Sequence, residues 1–376
     1  MLLLLTAFFS SLLLILLIIR YRHVHEHLSG DHDLSGPQKF HQGSIPRIGG
    51  LGIYAALWIA NFVAYLKDPA LGIFLGLILI AAFPVTATGL TEDITKRIGV
   101  KVRLLAGFIS GALLLYLFTI TSIRIGVWGL DALFLNIWVA GIFLCIACAG
   151  LANAYNIIDG FNGLASMVGI ISTVAIAFVA FKVGDLALVY LALILIGAVM
   201  GFFIWNYPRG LIFLGDGGAY LIGFVIAALS ILLVHRNPTV SPWFALLVNA
   251  YPIFETLFTI WRRSIHQGKN PGLPDGAHFH SLIYRRVLRW ANAIDRPGAN
   301  AEPHHHYLNN AKTSPYLWFI SSIGVIPALL FWESTPSLIA STILFVAIYI
   351  YCYRTIVQRR KPWWLGSPPP EIDNPS

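Results

Sequence analysis

Asn153-Ala-Tyr-Asn156-Ile-Ile-Asp159-Gly160-Phe161-Asn162-Gly163 follows directly on a long apolar run. An apolar helix ending here leaves its last carbonyls without partners, and Gly and Asn are the residues that turn a chain at such an end. That accounts for one Gly and one Asn but not for Asn153 and Asn156, which lie one helical turn apart and face the same way. Two amides with a carboxylate three residues on supply the neutral and charged oxygens that bind a hard cation such as Mg²⁺. The stretch is a polar site at the border of a membrane.

Composition agrees with a bilayer. Of the 376 residues, 57% are hydrophobic and 11% charged, and the mean hydropathy is +0.74. A soluble domain carries about 25% charged residues, so this chain has too few to cover a water-facing surface. Cys145 and Cys148 stand in an apolar run and read as small buried residues; with Cys352 they make no disulfide framework. The net charge of +8 is spread between apolar spans. It fits juxtamembrane anchoring and anionic phosphate substrates, not nucleic acid.

A crossing helix needs about 20 mostly apolar residues. Such runs occupy 2–20, 48–66, 71–90, 104–120, 132–152, 164–181, 186–205, 217–234, 242–261, 315–332 and 337–353. The expectation is an all-α polytopic integral membrane protein of about eleven transmembrane helices. It forms a single transmembrane catalytic domain over 1–353, with a tail over 354–376. Lys67, Arg124, Lys182 and Arg236 fall on one side of the membrane and the other 21 of 25 Lys and Arg on the opposite side or in the tail. The positive-inside rule makes that second side cytoplasmic, with the N-terminus outside and the C-terminus inside. The first run has no basic residue before it and reads as a span, not a cleaved signal. The long loops, 20–47, 91–103, 153–163, 206–216 and 262–314, then all face the cytoplasm, and with them the function.

Each inward loop carries candidate chemistry beside a plainer reading. Arg47, in Gly43-Ser-Ile-Pro-Arg47-Ile-Gly-Gly50, is an interfacial anchor or an anion contact. Glu92 and Asp93 sit at a helix C-terminal end, where the dipole prefers cations; Lys96, Arg97, Lys101 and Arg103 stand by to neutralise them. Asp216, between glycines in Phe213-Leu-Gly-Asp216-Gly-Gly, is a helix cap or a residue of a phosphate-binding helix start. In the last loop, beside Arg262, Arg263 and Asp275, His278 and His280 have no Cys or Glu to complete a zinc site and suit hydrogen bonding to a sugar or phosphate, and the more metal-like His304-His305-His306 reads as solvated loop. Glu255 lies within the ninth span after Pro252 and reads as a buried hydrogen-bonding group or a pocket wall.

Thr91-Glu92-Asp93, Asn153 to Gly163, Phe213-Leu214-Gly215-Asp216 and the Pro274 to Ser281 region, preceded by Pro46-Arg47-Ile48-Gly49-Gly50, stand in an order that resembles the polyprenyl-phosphate N-acetylhexosamine-1-phosphate transferases, glycosyltransferase family 4. The last segment is most similar to the undecaprenyl-phosphate GlcNAc-1-phosphate transferase branch. The resemblance implies transfer of a sugar-1-phosphate from a UDP-N-acetylhexosamine to undecaprenyl phosphate with release of UMP. It places this step at the cytoplasmic face of a bacterial inner membrane, in O-antigen or related surface-polysaccharide synthesis. It implies Mg²⁺, with Mn²⁺ as an alternative, on Asn156 and Asp216. It sets Asp93 and Glu92 by the lipid phosphate, with Asp159 among the catalytic carboxylates, and Phe213 beside the uridine. His278 and His280 fall in the sugar-recognition loop, with Asn153, Arg262, Arg263 and Asp275 also contacting substrate. A homodimer is the oligomer this reading allows. Glu92, Asn162 and Ser281 depart from the family's Asp, Asp and His. A flippase built on Glu255 and an inactive scaffold of the same fold are the rival readings.

Overall fold

The computed structural model describes residues 1–24, 45–127, 129–266, 268, 277–288 and 304–358. Long apolar helices follow one another: α1 Leu2–Arg20, α2 Gly49–Lys67, α3 Pro69–Thr95, α4 Val100–Leu117, α5 Ile137–Ile158, α6 Leu164–Lys182, α7 Leu186–Asn206 and α8 Gly215–Arg236. The short α9, Pro242–Val248, and α10, Ala250–Trp261, precede α11, His304–Leu330, and α12, Thr335–Val357. Ten helices are long and apolar enough to cross a membrane among the described residues, or eleven with α9 and α10 taken as one bent span. The protein is an all-α polytopic membrane protein.

The ninth expected span, 242–261, is not one rod: it bends by 76° between Val248 and Ala250. Pro252 explains where. A proline ring inside a helix collides with the carbonyl four residues earlier, here that of Val248, and Val248 instead turns its carbonyl to the Ser172 hydroxyl at 3.1 Å. The chain breaks at Asn249, whose side-chain amide bonds the Ala245 carbonyl and accepts from Tyr155.

Three further boundaries differ from expectation. Asn153 and Asn156 lie within α5, which continues to Ile158, so the stretch 153–163 is two helical turns and a tight corner. Glu92 and Asp93 likewise belong to α3, whose 27 residues reach about 40 Å, beyond a hydrocarbon core of about 30 Å. And α11 begins at His304, inside what read as loop. In α3 and α5 the helix outruns its apolar segment because partners at its polar end satisfy it.

Helix α8 is the axis of the bundle. Nineteen of its 22 residues are buried, and it packs chiefly against α3, α5, α2 and α6. Small residues permit this closeness. Gly50 lies against the Gly218 backbone, and a Cβ on Gly89 would stand 2.6 Å from Gly217 Cα. The start of α8 therefore meets α2 and α3 backbone to backbone.

Candidate active site

Two segments far apart in sequence fix the start of α8. Phe213 N–H donates to the Pro46 carbonyl at 2.9 Å, Gly49 N–H to Phe213 at 3.1 Å and Gly50 N–H to Leu214 at 2.9 Å. Gly215 takes φ +74, and a side chain there would run into the Arg47 carbonyl and the Asp93 carboxylate, so only Gly fits. Arg47 is thereby brought to the acidic cluster.

Asp93 is almost wholly buried, 2% exposed. Its Oδ1 accepts the backbone N–H of Asp216 at 2.8 Å and its Oδ2 that of Gly217 at 2.9 Å. These are N–H groups that a helix start cannot pair internally, so a carboxylate from α3 caps α8 and also complements its dipole. Glu92 turns the other way, accepting the Ile98 N–H in the corner between α3 and α4.

The Asp216 side chain is left to face the site. Asn156 Nδ2 donates to its Oδ1 at 3.0 Å, Arg103 Nη1 pairs with its Oδ2, and Arg47 Nη2 lies 3.7 Å from Oδ1 and 4.0 Å from Asp93 Oδ1. The Arg103 guanidinium also lies over the Tyr220 ring, 5.9 Å from its centre, and Tyr220 donates to Asn153 Oδ1 at 3.5 Å. Asp159, at the end of α5, has its carboxyl raised to about 7 by burial, with Arg47 pulling the other way.

The corner after Asp159 is clamped to its neighbours. Asn162 donates its backbone N–H to Asn310 and its amide to the Pro208 carbonyl, and its own carbonyl accepts from Ser314. Gly163, at φ +73, donates to Asn206 Oδ1. Asn162 thus serves here as a scaffold residue, and an amide, which donates as well as accepts, suits that post better than a carboxylate. His280 packs its ring edge-on to Phe161, 5.5 Å between centres, and stacks with His278 at 5.1 Å. His278 Nδ1 lies 3.0 Å from Glu255 Oε1.

Of the residues expected to act together, Asp93 and Asn156 each meet Asp216, Asn153 joins them through Tyr220 and Arg103, and His280 stands by the Gly160 corner with His278 stacked on it. Arg262 and Arg263 are buried in a π-turn after α10, and Phe213 is half-buried at the start of α8. Asp275 lies outside the described residues. Arg47 and Arg103 complete the site; the sequence offered Arg47 as an anchor or anion contact and Arg103 as one of four charges near Glu92 and Asp93, but assigned neither a place beside Asp216.

Asp216, Asn156 and Asp159 offer hard oxygen donors. Among the described residues no three His, Cys, Asp or Glu side chains form a closed metal cage. Mg²⁺ does not need one, since it takes one or two carboxylates and fills its shell with water and phosphate. The donor set fits that ion arriving with a diphosphate. The two arginines meanwhile neutralise the carboxylates.

An apolar cleft of about 620 Å³ reaches Asn153 of this end. Leu151, Asn153, Ile231, Trp243, Asn249 and Ile260 are among its walls, so it follows the broken span on both sides of the bend.

The profile of "Glycosyl transferase family 4" matches residues 74–234, which hold most of α3, most of α8 and everything between. A probable undecaprenyl-phosphate N-acetylglucosaminyl 1-phosphate transferase of Bacillus subtilis is 29% identical over 67% of this chain and 69% of its own length. An undecaprenyl-phosphate alpha-N-acetylglucosaminyl 1-phosphate transferase of Thermotoga maritima is 24% identical over 70% of this chain and 76% of its own. A phospho-N-acetylmuramoyl-pentapeptide-transferase of Streptococcus thermophilus is 33% identical over a shorter 49% of this chain and 50% of its own. Over residues 74–234 the chain is thus similar to glycosyl transferase family 4, and along about two thirds of its length to undecaprenyl-phosphate N-acetylglucosaminyl 1-phosphate transferases.

Proposed function

We propose that this protein transfers a sugar-1-phosphate from a UDP-N-acetylhexosamine to undecaprenyl phosphate, giving undecaprenyl-diphosphate-sugar and UMP. In this reading it works at the cytoplasmic face of a bacterial inner membrane, N-terminus outside, as the first membrane step of O-antigen or a related surface polysaccharide. The observation that carries the reading is the convergence of Asp93, Asn156 and Asp216 with Arg47 and Arg103 at one end of the bundle.

Both substrates are anionic. Two unit charges about 4 Å apart repel by about 4 kcal/mol at an effective dielectric of 20, so the site must supply positive charge. Arg47 and Arg103 do so from the protein side, and they exchange Asp216 for phosphate as the substrates enter. Asn156 and Asp216 would hold Mg²⁺, which neutralises the diphosphate and stabilises the leaving UMP when bound. An oxygen of the lipid phosphate attacks the sugar-bearing phosphorus; the bond to the bridging oxygen breaks, and UMP departs with that electron pair. The lipid phosphate has a second pKa near 6, so it is already ionised and needs little base catalysis. Asp93 shapes this site by holding the start of α8, since both its oxygens are engaged there. The apolar cleft suits a prenyl chain entering sideways from the bilayer while the nucleotide arrives from water.

The test incubates membranes containing the protein with undecaprenyl phosphate and a panel of UDP-sugars, and identifies the lipid product by mass. A diphosphate-linked N-acetylhexosamine with equimolar UMP is expected, and Asp216→Asn should remove both. No lipid product from any UDP-N-acetylhexosamine would overturn the assignment. A phosphosugar trapped on the protein without acceptor would replace direct attack by a covalent route.

A further inference from the structure

Glu255 is a carboxylate that the chemistry above leaves unused. It lies on α10 within the broken span and is 1% exposed, so its charge must be answered by partners inside the protein. Both of its oxygens are engaged. Oε1 accepts the Phe279 N–H at 3.1 Å and meets His278 Nδ1 at 3.0 Å, while Oε2 accepts the Tyr349 hydroxyl at 2.7 Å. A carboxylate only accepts, so His278 carries a proton on Nδ1 and its Nε2 is the ring nitrogen left for another partner.

The line of contact continues to the site. The His278 and His280 rings are nearly parallel, 12° apart. A Cβ placed on Gly160 would lie 3.0 Å from His280 Nε2, and Gly160 follows Asp159 directly. On the far side Tyr349 comes from α12, packs at a tilt against Phe279 and stacks on Tyr353. One buried carboxylate therefore ties the last membrane helix, the broken span and the histidine segment together.

We propose that Glu255 is a positioning residue, which fixes the ring and tautomer of His278 and, through the stacked pair, seats His280 at the Asp159–Gly160 corner where the sugar nucleotide binds. The substrate named here rests on the transferase reading above. Glu255 touches no substrate; it acts through the histidines.

The full-length protein in detergent, labelled with ¹⁵N-histidine, tests this with a conservative pair. Glu255→Gln keeps an acceptor oxygen toward Phe279 and His278, because the Phe279 N–H selects that orientation of the amide. Glu255→Met keeps the bulk and has no acceptor of that strength. In Glu255→Met the His278 signals, assigned by their loss in His278→Asn, should move from the Nδ1–H tautomer to a mixture. kcat/KM for the sugar nucleotide should fall about tenfold or more, with KM for undecaprenyl phosphate within about twofold. Glu255→Gln should restore both. Unchanged His278 signals in folded Glu255→Met overturn the proposal, as does equal impairment of the two variants with unchanged signals. If Glu255→Met does not fold, Tyr349→Phe decides: a shift of the same signals supports the role, and their constancy overturns it. Wild-type protein that releases no UMP sinks the transferase reading, while the histidine spectra still decide the role of Glu255.

Discussion

Asp93 holds Asp216 by its backbone, not by its side chain: the Asp93 carboxylate takes the Asp216 N–H at 2.8 Å and leaves the Asp216 carboxylate facing Asn156. The two aspartates therefore differ in what their loss should do. In Asp93→Asn at least one buried N–H loses its acceptor, which costs about 1–3 kcal/mol, and the thermal unfolding midpoint should fall together with UMP release. In Asp216→Asn the cap stays intact. Its midpoint should lie above that of Asp93→Asn, with turnover down roughly a hundredfold or more.

The backbone contacts at the start of α8 leave no room for a methyl group. Gly89→Ala would press on the Gly217 backbone, which cannot move aside as a flexible side chain does. Overpacking of this kind typically costs about 1–3 kcal/mol and sometimes more. Gly99→Ala meets nothing within 4 Å. Size-exclusion profiles in detergent should show little monodisperse protein for Gly89→Ala and a wild-type profile for Gly99→Ala.

Asp159 sets a pH dependence. Burial raises its carboxyl from the ordinary 3.8 to about 7, against the pull of Arg47. The fold thus favours the neutral form, so this group's contribution to stability is full below pH about 4 and is lost as pH rises through about 7. The anion that can help hold a cation appears over the same interval. Turnover should rise up to pH about 7, thermal stability should decline over that range, and saturating Mg²⁺ should move the acid limb to lower pH. Asp159→Asn should flatten the stability change.

Chelation separates fold from function. Asp216 is already partnered by Arg103, Arg47 and Asn156, and the bundle rests on apolar packing. Removal of divalent cations should abolish UMP release and leave the unfolding midpoint unchanged, and restored Mg²⁺ should recover activity.

Gly150 on α5 lines the apolar cleft and has open space beyond its Cα. Gly150→Leu would project into the cleft. If a prenyl chain lies there, KM for undecaprenyl phosphate should rise about tenfold while KM for the UDP-sugar stays within about twofold.

The membrane class and the number of spans were legible because a bilayer imposes length and hydrophobicity directly. The acidic end was legible too, because Asp93, Asn156 and Asp216 are each conspicuous beside apolar runs. What was hidden depended on partners. Nothing near Glu92 and Asp93 distinguishes a carboxylate that faces substrate from one that caps a helix 123 positions away. Arg103 reaches Asp216 across 113 positions, and such a pairing has no local signature. The break at Asn249 lies upstream of the proline that causes it, inside a run whose hydropathy is continuous. The fifth expected span ends at residue 152 because the apolar run stops there, yet the helix continues to Ile158 with Asn153 and Asn156 answered by Tyr220 and Asp216.

Order of synthesis gives the enclosure of α8 a further meaning. Its principal neighbours, α2, α3, α5 and α6, all precede it in the chain. A segment with almost no lipid-facing side gains little from waiting alone in the bilayer, so it enters a slot its predecessors have already shaped. Asp216 reaches its neighbours only when that slot closes, and the ribosome still has α9 to α12 to make.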